Sequence, residues 1–198
     1  MCGRYYVDDD TAKEIEKVIR QVDAMIRDTS GLNMFRSGDI RPADLAPVIA
    51  AHDRQLCIEN IRWGIPAYDG KLVINAKSET VREKKLFADS VEHRRIAIPA
   101  AGFYEWNAKK EKYTFRKKAR PLIWFAGFYN LERNEDRFVI ITTAANASMQ
   151  PVHDRMPLIL ENNEIVPWIL EEQATDKILN KVPELLDCST EYEQLSLF

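Results

Sequence analysis

The stretch "RRIAIPAAGFYEWNAKKEKYTFRKKARPLIWFAGFYNLERNEDRFVIITTAA", residues 94–145, decides the fold class. Five runs within it, 94–100, 102–107, 112–117, 121–130 and 137–145, are short, rich in β-branched or aromatic residues, and separated by charged or turn-like clusters. Such runs between breakers read as strands. Upstream, QLCIENIRWGI (55–65) alternates as a strand should and KLVINA (71–76) is a short buried one. RPADLAPVIA (41–50) reads as an extended surface segment leading into a strand, and MPLIL (156–160) adds a further strand.

Helical signals lie toward the two ends. Thr11 stands three residues before Glu14 as a capping box, and Ile15, Val18, Ile19, Val22, Met25 and Ile26 recur at helical spacing. Thr80 and Glu83 repeat the capping pattern and predict a helix over 81–94. VPWILEE (166–172) and ATDKILNKV (174–182) predict two short helices. Strands in series flanked by helices imply an α+β domain with a mainly antiparallel, barrel-like sheet core. A single domain is expected over 1–188, followed by a tail over 189–198 that is polar and then abruptly apolar.

Composition narrows the function. The chain has 198 residues, 45% hydrophobic and 30% charged, with a net charge of −3. It is long enough for one core, and its charge argues against bulk electrostatic binding to nucleic acid while allowing a local basic groove. Neither a membrane span nor a signal peptide is evident, so a cytoplasmic location is expected. Cys2, Cys57 and Cys188 form no C-x-x-C pair, and His52, His93 and His153 stand at no metal-ligand spacing from another His or Cys. No metal and no cofactor are expected.

Four short stretches hold chemistry. Cys2 directly follows Met1. It is either an ordinary small buried thiol or, once Met1 is removed, a residue carrying both an α-amine and a thiol. An amine with a pKa of about 7.7–8.0 is partly neutral at physiological pH and attacks carbonyls. The neighbouring thiol then closes a thiazolidine ring on the same aldehyde carbon. In "INAKSET" (74–80), Asn75 lies where a strand meets a turn, and Lys77 is either a solvated charge or a phosphate contact. In "GFYEW" (102–106), Glu105 either alternates out to solvent or sits in a partly dry pocket suited to acid–base work. In "HDRMP" (153–157), His153 and Asp154 are either a loop network or a proton shuttle.

"MCGR", "NAKSET", "GFYEW" and "HDRMP", in that order and at those intervals, resemble the SRAP family of SOS-response-associated peptidases, the abasic-site processing proteins, over roughly residues 1–170. The resemblance implies that the N-terminal cysteine crosslinks to the open-ring aldehyde of an abasic site in single-stranded DNA. It makes Cys2 the nucleophile and gives Asn75 the task of positioning the cysteine and sugar. Glu105 assists the proton transfers of imine formation and ring closure. His153 is the acid–base partner for the sugar hydroxyl and for reversal or strand cleavage, and autoproteolytic and lyase activities accompany the family. Arg4, Lys77 and Arg155 would contact phosphates, with Trp63 of "RWGIP" either a stacking surface or plain core.

The family pattern usually reads Asn-Ala-Arg where this chain has Lys77, which keeps the charge and loses the bidentate fork. A C-terminal His-Pro-Val-Ser-like segment is also missing. In its place stands "QLSLF", which resembles the clamp-binding peptide of bacterial replication and repair proteins. Gln194, Leu195, Leu197 and Phe198 would dock on a sliding clamp and bring a monomer to the nucleoid at replication forks. Two other classes remain open at this point: an N-terminal-cysteine amidohydrolase, since those also begin Met-Cys-Gly, and a non-catalytic adaptor for clamp and single-stranded DNA.

Overall fold

The computed structural model describes residues 2–11, 13–15, 37–118, 122–131 and 135–190. Fifteen strands carry the fold: β1 (Tyr5–Val7), β2 (Gly38–Ile40), β3 (Leu45–His52), β4 (Gln55–Trp63), β5 (Ile65–Pro66), β6 (Leu72–Val73), β7 (Asn75–Lys77), β8 (Arg95–Ala100), β9 (Gly102–Trp106), β10 (Lys112–Arg116), β11 (Ile123–Asn130), β12 (Arg137–Ala144), β13 (Arg155–Pro157), β14 (Ile159–Leu160) and β15 (Asp187–Thr190). All five expected strands of residues 94–145 form. The architecture is α+β and mainly antiparallel, as expected.

Two large sheets divide the strands. The first, ordered β15-β10-β9-β1-β2, is antiparallel throughout. In the second, pairings run from β12 to β4, β3, β8, β11 and back to β12. That circuit is a partial barrel, because two of its seams are thin. β3 meets β8 only at Ile49↔Ala97, and β4 meets β12 only at Arg137↔Arg62 and Phe138↔Trp63. β12 also takes β7 in parallel, with Asn75 opposite Ile140 and Lys77 opposite Thr142.

Barrel strands β8, β11 and β12 are buried almost throughout because both of their faces are covered. On one side Ile96, Ile98, Phe125 and Phe138 pack with Tyr5, Phe103 and Phe115 of the first sheet and with Cys2. On the other, Ala97, Ala126 and Val139 pack with Phe87, Val91, Trp168 and Ile178 from the helical segments. Three rings at the sheet–sheet junction, Tyr5, Phe103 and Phe125, meet edge-on or tilted at centroid distances of 5.6 and 5.9 Å. Such pairs add about 0.5–1.5 kcal/mol each beyond their buried area.

Helices are shorter than the sequence signals suggest. Residues 9–11 and 13–15 are helical, but the cap is Asp8, whose Oδ1 accepts from the Thr11 N–H at 2.8 Å. Thr11 is fully buried at the third helical position instead of capping the end. The remainder of the helix expected to reach residue 26 lies outside the described residues. The helix expected over 81–94 is confined to Ala88–His93. Residues 78–84 form successive turns, and the Thr80 hydroxyl is buried without a hydrogen bond, so no capping box forms there. Ile165–Leu170 and Glu172–Leu179 are helices near their expected places. β15, which the sequence does not announce, pairs Cys188 with Phe115 and carries the sheet to Thr190. Among the described residues, no helix is long and apolar enough to cross a membrane.

Candidate nucleic-acid site around Cys2

Strand alternation settles the position of Glu105. In β9 Phe103 and Glu105 turn inward, while Tyr104 and Trp106 stay partly exposed. Glu105 is 4% exposed. The antiparallel register with β1 pairs Tyr5 with Phe103, and the Tyr104 N–H donates to the Arg4 carbonyl at 3.0 Å. The same register continued one place sets Gly3 across from Glu105. Having no side chain, Gly3 leaves the carboxylate open toward the neighbouring cysteine.

Cys2 itself is fully buried. Its Sγ lies 3.9 Å from the Arg4 carbonyl. Burial first, then the Glu105 carboxylate, push its thiol far above the ordinary range, against a smaller opposing pull from the backbone of Arg4. The sulfur is therefore a thiol and not a thiolate at neutral pH. Any nucleophilic use of it requires a base to take the proton, and Glu105 is the carboxylate that senses it.

Asn75 reaches the same point from the barrel. Its Nδ2 donates to the Cys2 carbonyl at 3.0 Å, across 73 positions of sequence. Its Oδ1 is buried with no hydrogen-bond partner among the described residues. An orphaned buried acceptor costs about 1–3 kcal/mol, which a hydroxyl donated by a ligand would recover. β7 is held in turn by β12 and by Trp63, whose indole Nε1 donates to the Ile74 carbonyl at 3.0 Å.

His153 precedes β13, whose Arg155 pairs with Ala144 of β12. Its Nδ1 accepts the Arg155 backbone N–H at 3.0 Å and lies 2.8 Å from an Asp154 carboxylate oxygen. One nitrogen cannot serve both partners at once. A backbone N–H only donates, so it matches a neutral ring with its proton on Nε2; the carboxylate accepts only from a protonated Nδ1. The two contacts thus require Nδ1 without and with a proton respectively, and the backbone contact is the better shielded, since Asp154 is 86% exposed.

One expected DNA contact is corrected, and a second is already ion-paired. Trp63 is fully buried, stacked on Phe138 at 6.1 Å and tilted against Tyr5 at 5.4 Å, so it offers no face to a base. Arg155 is bound bidentately by Glu79 at 2.6 and 2.8 Å and also donates to the Thr142 carbonyl at 2.7 Å. That pairing holds the Glu79 carboxyl below its ordinary range and neutralises the arginine. Lys77 is exposed at the end of β7. Arg4 keeps only a loose ion pair to Asp39 at 3.7 Å and lies over the Trp106 ring at 5.4 Å. Gln194, Leu195, Leu197 and Phe198 lie outside the described residues.

One surface went unrecognised in the sequence. On the outward face of β1, β9 and β10, Tyr6 and Tyr104 stack at 5.1 Å and 23°. Arg116 lies over Tyr6 at 5.3 Å and Lys112 over Tyr104 at 4.1 Å. With Arg4 over Trp106, both partly exposed rings on this face, Tyr104 and Trp106, carry a cation, while Tyr6 is itself buried. Alternation in "GFYEW" and "KYTFR" holds the signal, but only the register of three strands assembles it. Partly exposed rings interleaved with cations are the elements of a single-strand binding face.

A partial barrel faced by an antiparallel sheet, with an N-terminal cysteine buried at their junction, defines an SRAP-type α+β protein. Residues 1–196 match the family described as SOS response associated peptidase (SRAP), and the chain belongs to that family. It is 36% identical over 203 residues to abasic site processing protein YoaM of Bacillus subtilis, covering 92% of this chain and 85% of that one. It is 32% identical over 186 residues to abasic site processing protein YoqW of the same organism, covering 85% and 80%. A crystal structure of a Bordetella bronchiseptica protein shares the fold with a TM-score of 0.75 at 19% identity, covering 96% of this chain and 99% of that one.

Proposed function

We propose that this chain captures abasic sites in single-stranded DNA by forming a covalent thiazolidine at Cys2. The observation that carries the reading is the convergence on one buried cysteine of a backbone anchor, Asn75, and a buried carboxylate, Glu105. Relatives named as abasic site processing proteins supply the substrate class.

The chemistry balances without a cofactor. After removal of Met1, the Cys2 amine adds to the C1′ aldehyde of the ring-opened sugar, and water leaves to give an imine. The thiol sulfur then adds to the imine carbon. Its proton passes by way of Glu105 to the ring nitrogen, so the net change is loss of one water. Because burial keeps the thiol protonated, amine attack precedes sulfur attack. Asn75 holds the Cys2 carbonyl with its Nδ2 and offers its buried Oδ1 to a sugar hydroxyl. His153 exchanges protons at the sugar in reversal or strand cleavage. Self-processing and lyase activity use the same groups.

Arg4 and Lys77 position the phosphates, and the ring-and-cation face of Tyr104 and Trp106 stacks flanking bases. The motif at 194–198 recruits a sliding clamp at replication forks, working as a tail to the domain of residues 1–188.

The test is a denaturing gel of Met1-free protein with an oligonucleotide bearing one abasic site. A heat-stable shifted band that Cys2→Ala lacks supports the reading. A shifted band of equal yield with Cys2→Ala overturns it. No band, together with glutamine-dependent ammonia release, would favour an amidohydrolase instead.

A further inference from the structure

Away from Cys2, the β3–β4 hairpin brings together side chains that no linear spacing announces. Its turn is two residues long, Asp53 and Arg54, both with positive φ at 49° and 60°. This is the primed geometry that matches strand twist, built here without glycine. The tight turn fixes the register, with His52 opposite Gln55, Ala50 opposite Cys57 and Val48 opposite Glu59. Residues across from one another share a face, as do residues two apart. His52, Cys57 and Glu59 therefore all project from the same face.

Their donor atoms converge. One ring nitrogen of His52, the Cys57 sulfur and one Glu59 oxygen lie within 4.8 Å of one another. His52 Nε2 contacts Glu59 Oε1, and Cys57 Sγ lies 3.8 Å from the same oxygen. Metal bonds of about 2.0–2.3 Å at tetrahedral angles require donors about 3.5 Å apart. The cluster is thus within a side-chain rotation of that spacing, and the exposed His52 ring is the part with room to move.

The surroundings are short of positive charge. Asp136, at the start of β12, feels Glu59 and His52, and burial together with the Glu59 charge raises its carboxyl above the ordinary range. Tyr129 faces the same carboxylates. The opposing cation is Arg94, whose guanidinium is already engaged by Asp89, Ser90 and the Tyr129 carbonyl.

We propose that His52, Cys57 and Glu59 form a binding site for a borderline-soft divalent cation of the zinc class, with water or the Asp136 carboxylate in the fourth position. One nitrogen, one sulfur and one oxygen donor suit zinc or cobalt and are a poor match for magnesium or calcium, which take oxygen cages. Binding displaces the Cys57 thiol proton to solvent, so affinity falls as pH is lowered. The site is separate from the Cys2 centre, and its occupancy is read without any DNA chemistry.

The experiment uses the full chain, freed of metal with a chelator that is then removed. Zinc is titrated against a chromophoric chelator, and cobalt is followed by its near-ultraviolet thiolate charge-transfer band. One ion per chain is expected, with affinity reduced more than about 10–100-fold, the loss typical of outer-shell changes, in both His52→Ala and Cys57→Ser. The cobalt band should vanish in Cys57→Ser and persist in Cys2→Ser. Absence of zinc binding, or full affinity retained in either His52→Ala or Cys57→Ser, would mean that the cluster is only a His–Glu ion pair beside a thiol. His52 is exposed, so its variant retains the fold and keeps the test decisive even if Cys57→Ser is destabilised.

Discussion

The inner and outer faces of the same two strands are opposite in character. Inward, β1 and β9 present Tyr5, Phe103 and Glu105 to a dry junction that also holds Cys2. Outward, the same strands present Tyr6, Tyr104 and Trp106, each ring under a cation. One residue of shift along the chain moves a side chain from a dry junction to a face that water and salt partly reach. The pair of strands can thus separate bond making from strand holding without a second domain.

Several substitutions break or sharpen that contrast. The largest effect is expected on the inner face, where Cys2→Ala should abolish the crosslink on a denaturing gel while binding to the outer face, measured by fluorescence anisotropy, changes little. Glu105→Gln comes next. It keeps the shape of the side chain and removes its proton transfer, so the crosslinking rate should drop by about 10²-fold or more with unchanged affinity. If affinity fell in proportion to rate, Glu105 would be holding the strand and not moving protons.

The outer face should respond in the opposite sense. Tyr104→Ala should weaken binding by about 1–3 kcal/mol, and Arg116→Ala should lower the salt slope by about one phosphate contact. Neither should alter the crosslinking rate at saturating DNA. Lys77→Arg is a smaller gain, since it restores a bidentate fork at an exposed position. Glu79→Gln is expected to raise affinity too, by releasing the charge of Arg155.

The smallest effect is on stability. Folding raises the Cys2 thiol above its unfolded value. Below about pH 8.5, the unfolded thiol range, both states keep the proton and nothing is lost. Above it, the unfolded chain sheds a proton that the folded one retains, so wild type should lose stability with rising pH faster than Cys2→Ser. Urea midpoints across that range measure the difference.

What the sequence disclosed was local. β-Branched and aromatic runs between breakers marked all five strands of residues 94–145, and two motifs held Asn75 and Glu105, which meet at Cys2. It could not decide between solvent and pocket for Glu105, because alternation alone does not say which face is covered. That took β1 at one edge of β9 and β10 at the other. Trp63 and Arg155 misled for a related reason. An indole beside glycine and an arginine beside aspartate look available until Phe138 and Glu79, 75 and 76 positions away, arrive against them. The capping pattern at Thr80 failed because tertiary contacts hold residues 78–84 in turns, outweighing a helical preference worth a few tenths of a kcal/mol per residue. The closing of the barrel was hidden too, since its β12–β4 seam is parallel and joins distant segments.

The place of β1 in its sheet has a mechanical consequence. If Cys2 is the point of attachment, as proposed, any tension on the DNA enters the protein at the N-terminal end of a strand flanked on both sides, by β2 and by β9. Ladder hydrogen bonds lie perpendicular to the strand. A pull along β1 therefore loads its bonds together in shear, whereas a pull across it opens them one at a time like a zipper. A motor approaching along the DNA from one side would then meet a stiff obstacle, and from the other a compliant one.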